Sequence, residues 1–174
     1  NAALASLLVY AGFRLCHPKH FVHVWKLGKD QAFIFGVTIM VTLAEDLLLG
    51  VLAGVGVNFL IYKLRGVAWS DFLKASSRLS NHGVHENIQL QGPMVFSNLL
   101  LHQKAFGDSV ERLRASGGSL TVDFNRCSLV DYSFLDWLER FREESNDFGV
   151  EVKVEGLESM KRVSDHPMAT RLRS

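Results

Sequence analysis

Proline and cysteine are scarce in this 174-residue chain, with three and two residues. Three prolines beside 14 glycines exclude a collagen-like or low-complexity chain. Cys16 and Cys127 are too few, and too far apart, for a disulfide framework or a cysteine zinc site. Net charge is nearly absent as well. At +1 it excludes a nucleic-acid partner held by bulk electrostatics. The order of segments that marks a signal peptide is missing. So are a Walker loop, a glycine-rich phosphate fingerprint and nucleophile-elbow glycines around any serine. Accordingly no catalytic residue, enzymatic activity or cofactor is assigned. His17, His20 and His23 recur every third residue, but no carboxylate or thiolate partner accompanies them at helical spacing, and no metal is assigned either. The chain opens on Asn rather than Met, and is expected to be the carboxyl-terminal piece of a longer protein.

What is abundant is apolar sequence, unevenly placed. Up to Arg65 there are six Lys or Arg against three acids, among long apolar runs; beyond it there are 13 against 15. From Ala32 to Tyr62 the only charges are the adjacent Glu45 and Asp46. One helix of that length would run about 46 Å, well beyond a hydrocarbon core of about 30 Å. The acid pair instead divides it into Ala32–Ala44 and Leu47–Tyr62, two short spans that need neighbouring helices to cover their ends. Lys26 and Lys29 before the pair, and Lys63 and Arg65 after it, place both ends on the cytoplasmic side. Gly50 and Gly54 form a small-residue seam for helix packing. Glu45 and Asp46 are read as hairpin-tip acids in headgroups or water, with ion coupling or gating as the alternative. Ala2–Leu15 reads as the end of a preceding span, closed by Pro18, and His20–Asp30 as an interfacial connector with Phe21, Val24, Trp25 and Leu27 on its apolar side.

Beyond a Ser-rich connector over 66–84, anchored by Trp69, Phe72, Leu73 and Leu79, the periodicity changes. Ile88 and Leu90 alternate with polar residues up to Gly92-Pro93, and Met94–Phe96 resumes the extended run. Leu99, Phe106, Val110 and Leu113 recur at helical spacing until Gly117-Gly118. Leu120–Phe124 reads as a strand, Asn125–Asp131 as a loop, and Phe134, Leu138, Phe141 and Phe148 as the stripe of a second helix. Val150–Glu155 is a strand, and Leu157–Val163 a last helix. Strands alternating with helices predict a largely parallel sheet, and about ninety residues suffice for a modest core. Ser133 stands where a helix N-cap is expected, with Asp136 three residues on. The alternative is a regulatory phosphosite at Ser133, beside Asp131.

The residues from Pro18-Lys19-His20-Phe21 through Lys26–Gln31, with Val41–Val51, resemble the end of the membrane domain of SulP anion permeases. That domain leads directly into a cytoplasmic STAS domain, and the back half is similar to STAS in Ile88–Pro93, Leu120–Phe124, Val130–Ser133 and Gly149–Val152. Ser164–Ala169 resembles the tail of some bacterial permeases. The resemblance implies an α-helical membrane segment, the end of an inverted-repeat transporter bundle, over 1–65, then the connector and an α/β STAS-like domain over 85–174. A whole permease has about fourteen segments in two inverted repeats. It further implies an integral protein of the plasma (inner) membrane with its STAS domain cytoplasmic, a secondary active transporter of sulfate, bicarbonate or a similar inorganic anion. The bilayer and a second copy of the chain are the implied partners, and nucleic acid is not. The family's anion site lies between half-helices of earlier segments, so no substrate-binding residue falls in this fragment. In STAS antagonists the loop reads Asp-Ser-Ser-Gly, with a phosphorylatable Ser matching Ser133; here Tyr132 and Phe134 replace the first Ser and the Gly. A membrane-anchored signalling module of the anti-sigma-factor-antagonist type is the alternative, and a soluble antagonist-like protein with an oily leader a third reading.

Overall fold

A computed structural model describes residues 2–15, 18–67 and 77–173. Cys16 and His17, and the connector anchors Trp69, Phe72 and Leu73, lie outside the described residues. The chain divides into two units, Asn1–Phe59 with Ser164–His166, and Leu60–Val163 with Pro167–Ser174.

The first unit is helical: α1 (Ala2–Leu15), α2 (Pro18–Leu27), α3 (Lys29–Ala44) and most of α4 (Leu47–Leu64). The break between α3 and α4 falls on the acid pair. Asp46 Oδ1 accepts the Leu49 N–H at 2.8 Å, which satisfies a donor that the first turn of a helix leaves without an intrahelical partner. Two consecutive acids thus end one helix and start the next. Helix α4 is long and apolar enough to cross a membrane. Leu47, Leu48, Leu52 and Val55 are exposed on it, as are Met40 and Leu43 on α3. A helix apolar all round gains nothing from water on any face.

The second unit carries a six-stranded mixed sheet built from β1 (Ser77–His82), β2 (His85–Met94), β3 (Ser119–Val130), β4 (Glu151–Glu155), β5 (Lys161–Arg162) and β6 (Arg171–Leu172). Strand β3 is its spine. It runs parallel to β2, with Ile88 opposite Val122, and parallel to β4, with Leu120 opposite Val152. Its last residues, Leu129 and Val130, pair antiparallel with β6, which pairs with β5; β1 lies antiparallel on the outer edge of β2. The stretch 66–84, expected as a connector, therefore supplies a strand.

Helices α5 (Phe96–Ser116) and α6 (Tyr132–Asp147) connect β2 to β3 and β3 to β4. They pack side by side through Phe106, whose ring meets Trp137 at 5.0 Å and Phe141 at 5.3 Å, both edge-on. Under them the core is Ile88, Leu90, Leu120, Val122, Phe124, Phe134 and Val152. The helical stripe Leu99, Phe106, Val110 and Leu113 is buried as its spacing predicts. Glu86 is also buried, and Arg112 of α5 grips it through Nε–Oε1 at 2.8 Å and Nη2–Oε2 at 2.9 Å.

Four local expectations are corrected. Strand β2 does not stop at Gly92-Pro93 but continues to Met94, because Gly92 takes φ 83° and absorbs a register shift against β3. Phe96 opens α5 rather than extending the strand. Residues 125–130, expected as loop, extend β3, since β2 and β6 supply partners for their backbone. Leu157–Val163 is not a helix; its last residues form β5, two residues paired with β6. In addition Phe148, expected on the buried stripe of α6, is half exposed under the Arg114 guanidinium, 4.7 Å from the ring centre.

Candidate functional site

The starts of α5 and α6 meet at one buried carboxylate. Val130 ends β3, and Asp131, in extended backbone, caps α6: Oδ1 accepts the Phe134 N–H at 2.7 Å. Oδ2 accepts the Phe96 N–H at the first residue of α5, at 2.8 Å, and the Tyr62 hydroxyl at 3.0 Å. Tyr62 lies in the last turns of α4, within the second unit, and is itself buried. Beside it Asn98 makes the reciprocal fold-back on α5, its Oδ1 accepting Val95 N–H at 3.0 Å while Nδ2 donates to the Pro93 carbonyl at 2.7 Å. Burial pushes the Asp131 carboxyl up to about 6, against the pull of the Phe134, Phe96 and Ser133 amides and the Tyr62 hydroxyl. Three helix ends thus depend on one side chain.

The expected N-cap at Ser133 is corrected: the cap is Asp131, and Ser133 is the second residue of the helix. Either residue type caps well. The choice falls on Asp131 because β3 holds its backbone, with Asp131 N–H bonded to the Met94 carbonyl at 2.9 Å, so the chain turns two residues earlier. That position also brings Phe134 and Leu135 under the helix, both buried.

Ser133 instead faces a groove of about 400 Å³ between the starts of α5 and α6, lined by Leu99, Tyr132, Ser133, Trp137, Arg140 and Phe141. Trp137 and Phe141 stack there at 5.2 Å. Arg140 pairs with Asp136 one turn back. The Tyr132 phenol is pushed up by burial and then by Asp136. A phosphate on Ser133 would gain the partial positive charge of the helix start and meet both Arg140 and the opposing Asp136. Behind the groove, His102 is fully buried edge-on to Phe134, 6.1 Å between ring centres, and neither ring nitrogen has a hydrogen-bond partner among the described residues. Burial drives it down to about 4.

The remaining residues singled out in the sequence lie in the helical unit. Glu45 and Asp46 are exposed at the α3–α4 turn. Gly50 and Gly54 are buried against α3: a Cβ on Gly50 would overlap Thr42 and one on Gly54 would overlap Thr38. Thr38 Oγ1 is itself bonded back to the Ile34 carbonyl at 2.9 Å, which keeps its polar atom paired inside an apolar seam. Sequence reasoning identified the glycines but not the threonines, whose i, i+4 spacing on α3 mirrors that of the glycines. It also missed Tyr62 and His102; both sit on apolar stripes, where a single polar side chain carries no signal of its partner.

No family model matches this sequence, and no curated protein matches it. Among solved structures, the STAS domain of an antisigma-factor antagonist from Rhodobacter sphaeroides is 21% identical, covering 52% of this chain and 94% of that one, with a TM-score of 0.41. SLC26A9 is 14% identical over 78% of this chain, with a TM-score of 0.39, and Mglu is 20% identical over 45%, with a TM-score of 0.40. This chain spans 26% of the SLC26A9 chain and 19% of the Mglu chain.

Proposed function

We propose that the chain is the carboxyl-terminal part of a SulP-type secondary active transporter of a small inorganic anion. In this reading α3 and α4 are among the last spans of the membrane bundle, and the sheet domain is a cytoplasmic STAS domain that regulates or dimerises the assembly. The observation that carries the proposal is the α3–α4 pair. Its inner seam is closed by Gly50 and Gly54 on Thr42 and Thr38, while its outer faces expose Met40, Leu43, Leu47, Leu48, Leu52 and Val55. Soluble proteins rarely leave such a surface uncovered, and lipid or sister helices would cover it. The acid pair at the turn supports a wetted tip better than a buried gate, because both side chains are exposed and Asp46 is occupied as a cap. The motifs quoted above from both halves point to the same family.

The test is uptake into sealed vesicles holding the complete protein, with and without an ion gradient, for sulfate, bicarbonate and related anions. Gradient-dependent uptake of one of them is expected, and no flux for any anion tried overturns the proposal. A second reading, a membrane-anchored STAS signalling module, is favoured by the half-buried Ser133 on the groove between α5 and α6. It predicts a phosphorylated Ser133 and a membrane part too short for transport, which mass spectrometry and the upstream sequence decide.

A further inference from the structure

We infer that the Tyr62 hydroxyl and the Asp131 carboxylate form a proton-sensitive latch on the end of α4, loosened by acid while the start of α6 stays capped. The balance of donors and acceptors dictates this. Every neighbour bonded to this carboxylate donates to it: Phe134 N–H on Oδ1, and Phe96 N–H with the Tyr62 O–H on Oδ2. When Asp131 takes a proton from water, its new O–H needs an acceptor. A backbone N–H cannot become one, but a phenol oxygen can. The proton therefore settles on Oδ2 toward Tyr62, whose own hydroxyl hydrogen must turn away from the carboxyl. A charge-assisted bond is exchanged for a neutral one, roughly half as strong, at the α4 end of the cluster. The Phe134 amide keeps a carbonyl-type oxygen, Oδ1, while the Phe96 amide is left with the weaker acceptor of the new hydroxyl, Oδ2.

The surroundings keep the event local. Asp131 is fully buried, and the groups that shift its titration are Tyr62 from α4, the amide of Phe96 from α5 and the amides of Ser133 and Phe134 from α6; among the described residues no charged side chain contributes. His102, which also packs on Phe134, is driven by burial down to about 4 and so does not account for a transition near 6. The readout is built in. Immediately after α4, the Val67 N–H donates to the Tyr62 carbonyl at 3.1 Å, and Val67 is buried, so its amide reports whether this end of the helix is held.

The experiment is hydrogen exchange of the full chain in detergent or lipid at pH 7.5 and pH 5, corrected for intrinsic rates, on segments containing Val67 and Phe134. In the wild type the Val67 segment opens about three- to tenfold more at pH 5, the scale of the half lost when a hydrogen bond to a charged group becomes a neutral one, while the Phe134 segment changes little. Tyr62→Phe opens the Val67 segment at both pH values and abolishes its pH dependence. Equal protection of Val67 at both pH values in the wild type overturns the latch, as does a pH dependence that survives in Tyr62→Phe. A carbon-13 titration of Asp131 is the second measurement. Loss of the phenol donor must move its midpoint upward from about 6, and an unmoved midpoint also overturns the proposal.

Discussion

The seam between α3 and α4 yields a prediction whose outcome differs between two glycines four residues apart. The three atoms nearest a Cβ on Gly54 all belong to the Thr38 side chain: it would overlap Oγ1, stand 3.4 Å from Cβ and 3.7 Å from Cγ2. A Cβ on Gly50 would overlap Thr42 Oγ1, lie 2.9 Å from Thr42 Cβ and come within 3.0 Å of the Thr38 carbonyl oxygen. The Gly54 clash is therefore with the far atoms of a side chain, and the Gly50 clash is partly with backbone. Both Gly→Ala variants should cost about 1–3 kcal/mol, the range for overpacking a closed interface. The cost is offset by about 1 kcal/mol from the better helix propensity of Ala. The difference lies in rescue. Thr38→Ala removes Oγ1 and Cγ2, so the double variant Gly54→Ala/Thr38→Ala should recover most of the loss and give a coupling above about 0.5 kcal/mol. Thr42→Ala leaves the Cβ and the Thr38 carbonyl in place, and should rescue Gly50→Ala only in part. Thermal unfolding of the detergent-solubilised chain, followed by size-exclusion fluorescence, measures both cycles. Additive single effects at Gly54 and Thr38 would refute the reasoning, and so would complete rescue of Gly50→Ala by Thr42→Ala.

Three further outcomes follow from the sheet domain. Asp131→Ala removes an N-cap and orphans the Phe96 and Phe134 amides, and should cost about 2–4 kcal/mol in chemical denaturation. His102 and Asp131 impose opposite pH slopes. The histidine is held below its ordinary value, so its contribution is lost as pH falls from about 6.5 to about 4; the carboxyl is held above its ordinary value, so its contribution is lost as pH rises from about 3.8 through about 6. His102→Leu should stabilise the domain below pH 6 and leave stability falling with rising pH between 4 and 6, and a variant with the wild-type profile in urea titrations would contradict this. Arg112→Ala leaves the buried Glu86 carboxylate with Ser109 but without its opposite charge, and should cost about 2 kcal/mol at pH 7, toward the lower end for a pair whose arginine is half exposed. A melting temperature within one degree of wild type would argue that water reaches Glu86.

Where the sequence alone was decisive, periodicity or a charge in apolar surroundings supplied the information locally. The Glu45-Asp46 break, the helical stripe Leu99–Leu113 and the strands over Leu120–Phe124 and Val150–Glu155 needed no tertiary knowledge, because burying one side of a helix or strand leaves a mark every 3.6 or 2 residues. The glycines at 50 and 54 were equally legible as a close-packing pair. Tertiary structure decided everything that depends on a partner distant in the chain. Residues 125–130 became strand because β2 and β6 lie alongside, and Leu157–Val163 failed as a helix because β6 claimed its end. Asp131 outcompeted Ser133 as cap because Met94, far upstream, fixed its backbone, and Tyr62 joined the same carboxylate from 69 residues away. A hydrogen bond across such a separation leaves no periodic trace, since it constrains two positions and nothing between them. The local half of this protein was therefore written in its pattern, and the site where its helix ends converge existed only once the sheet had formed.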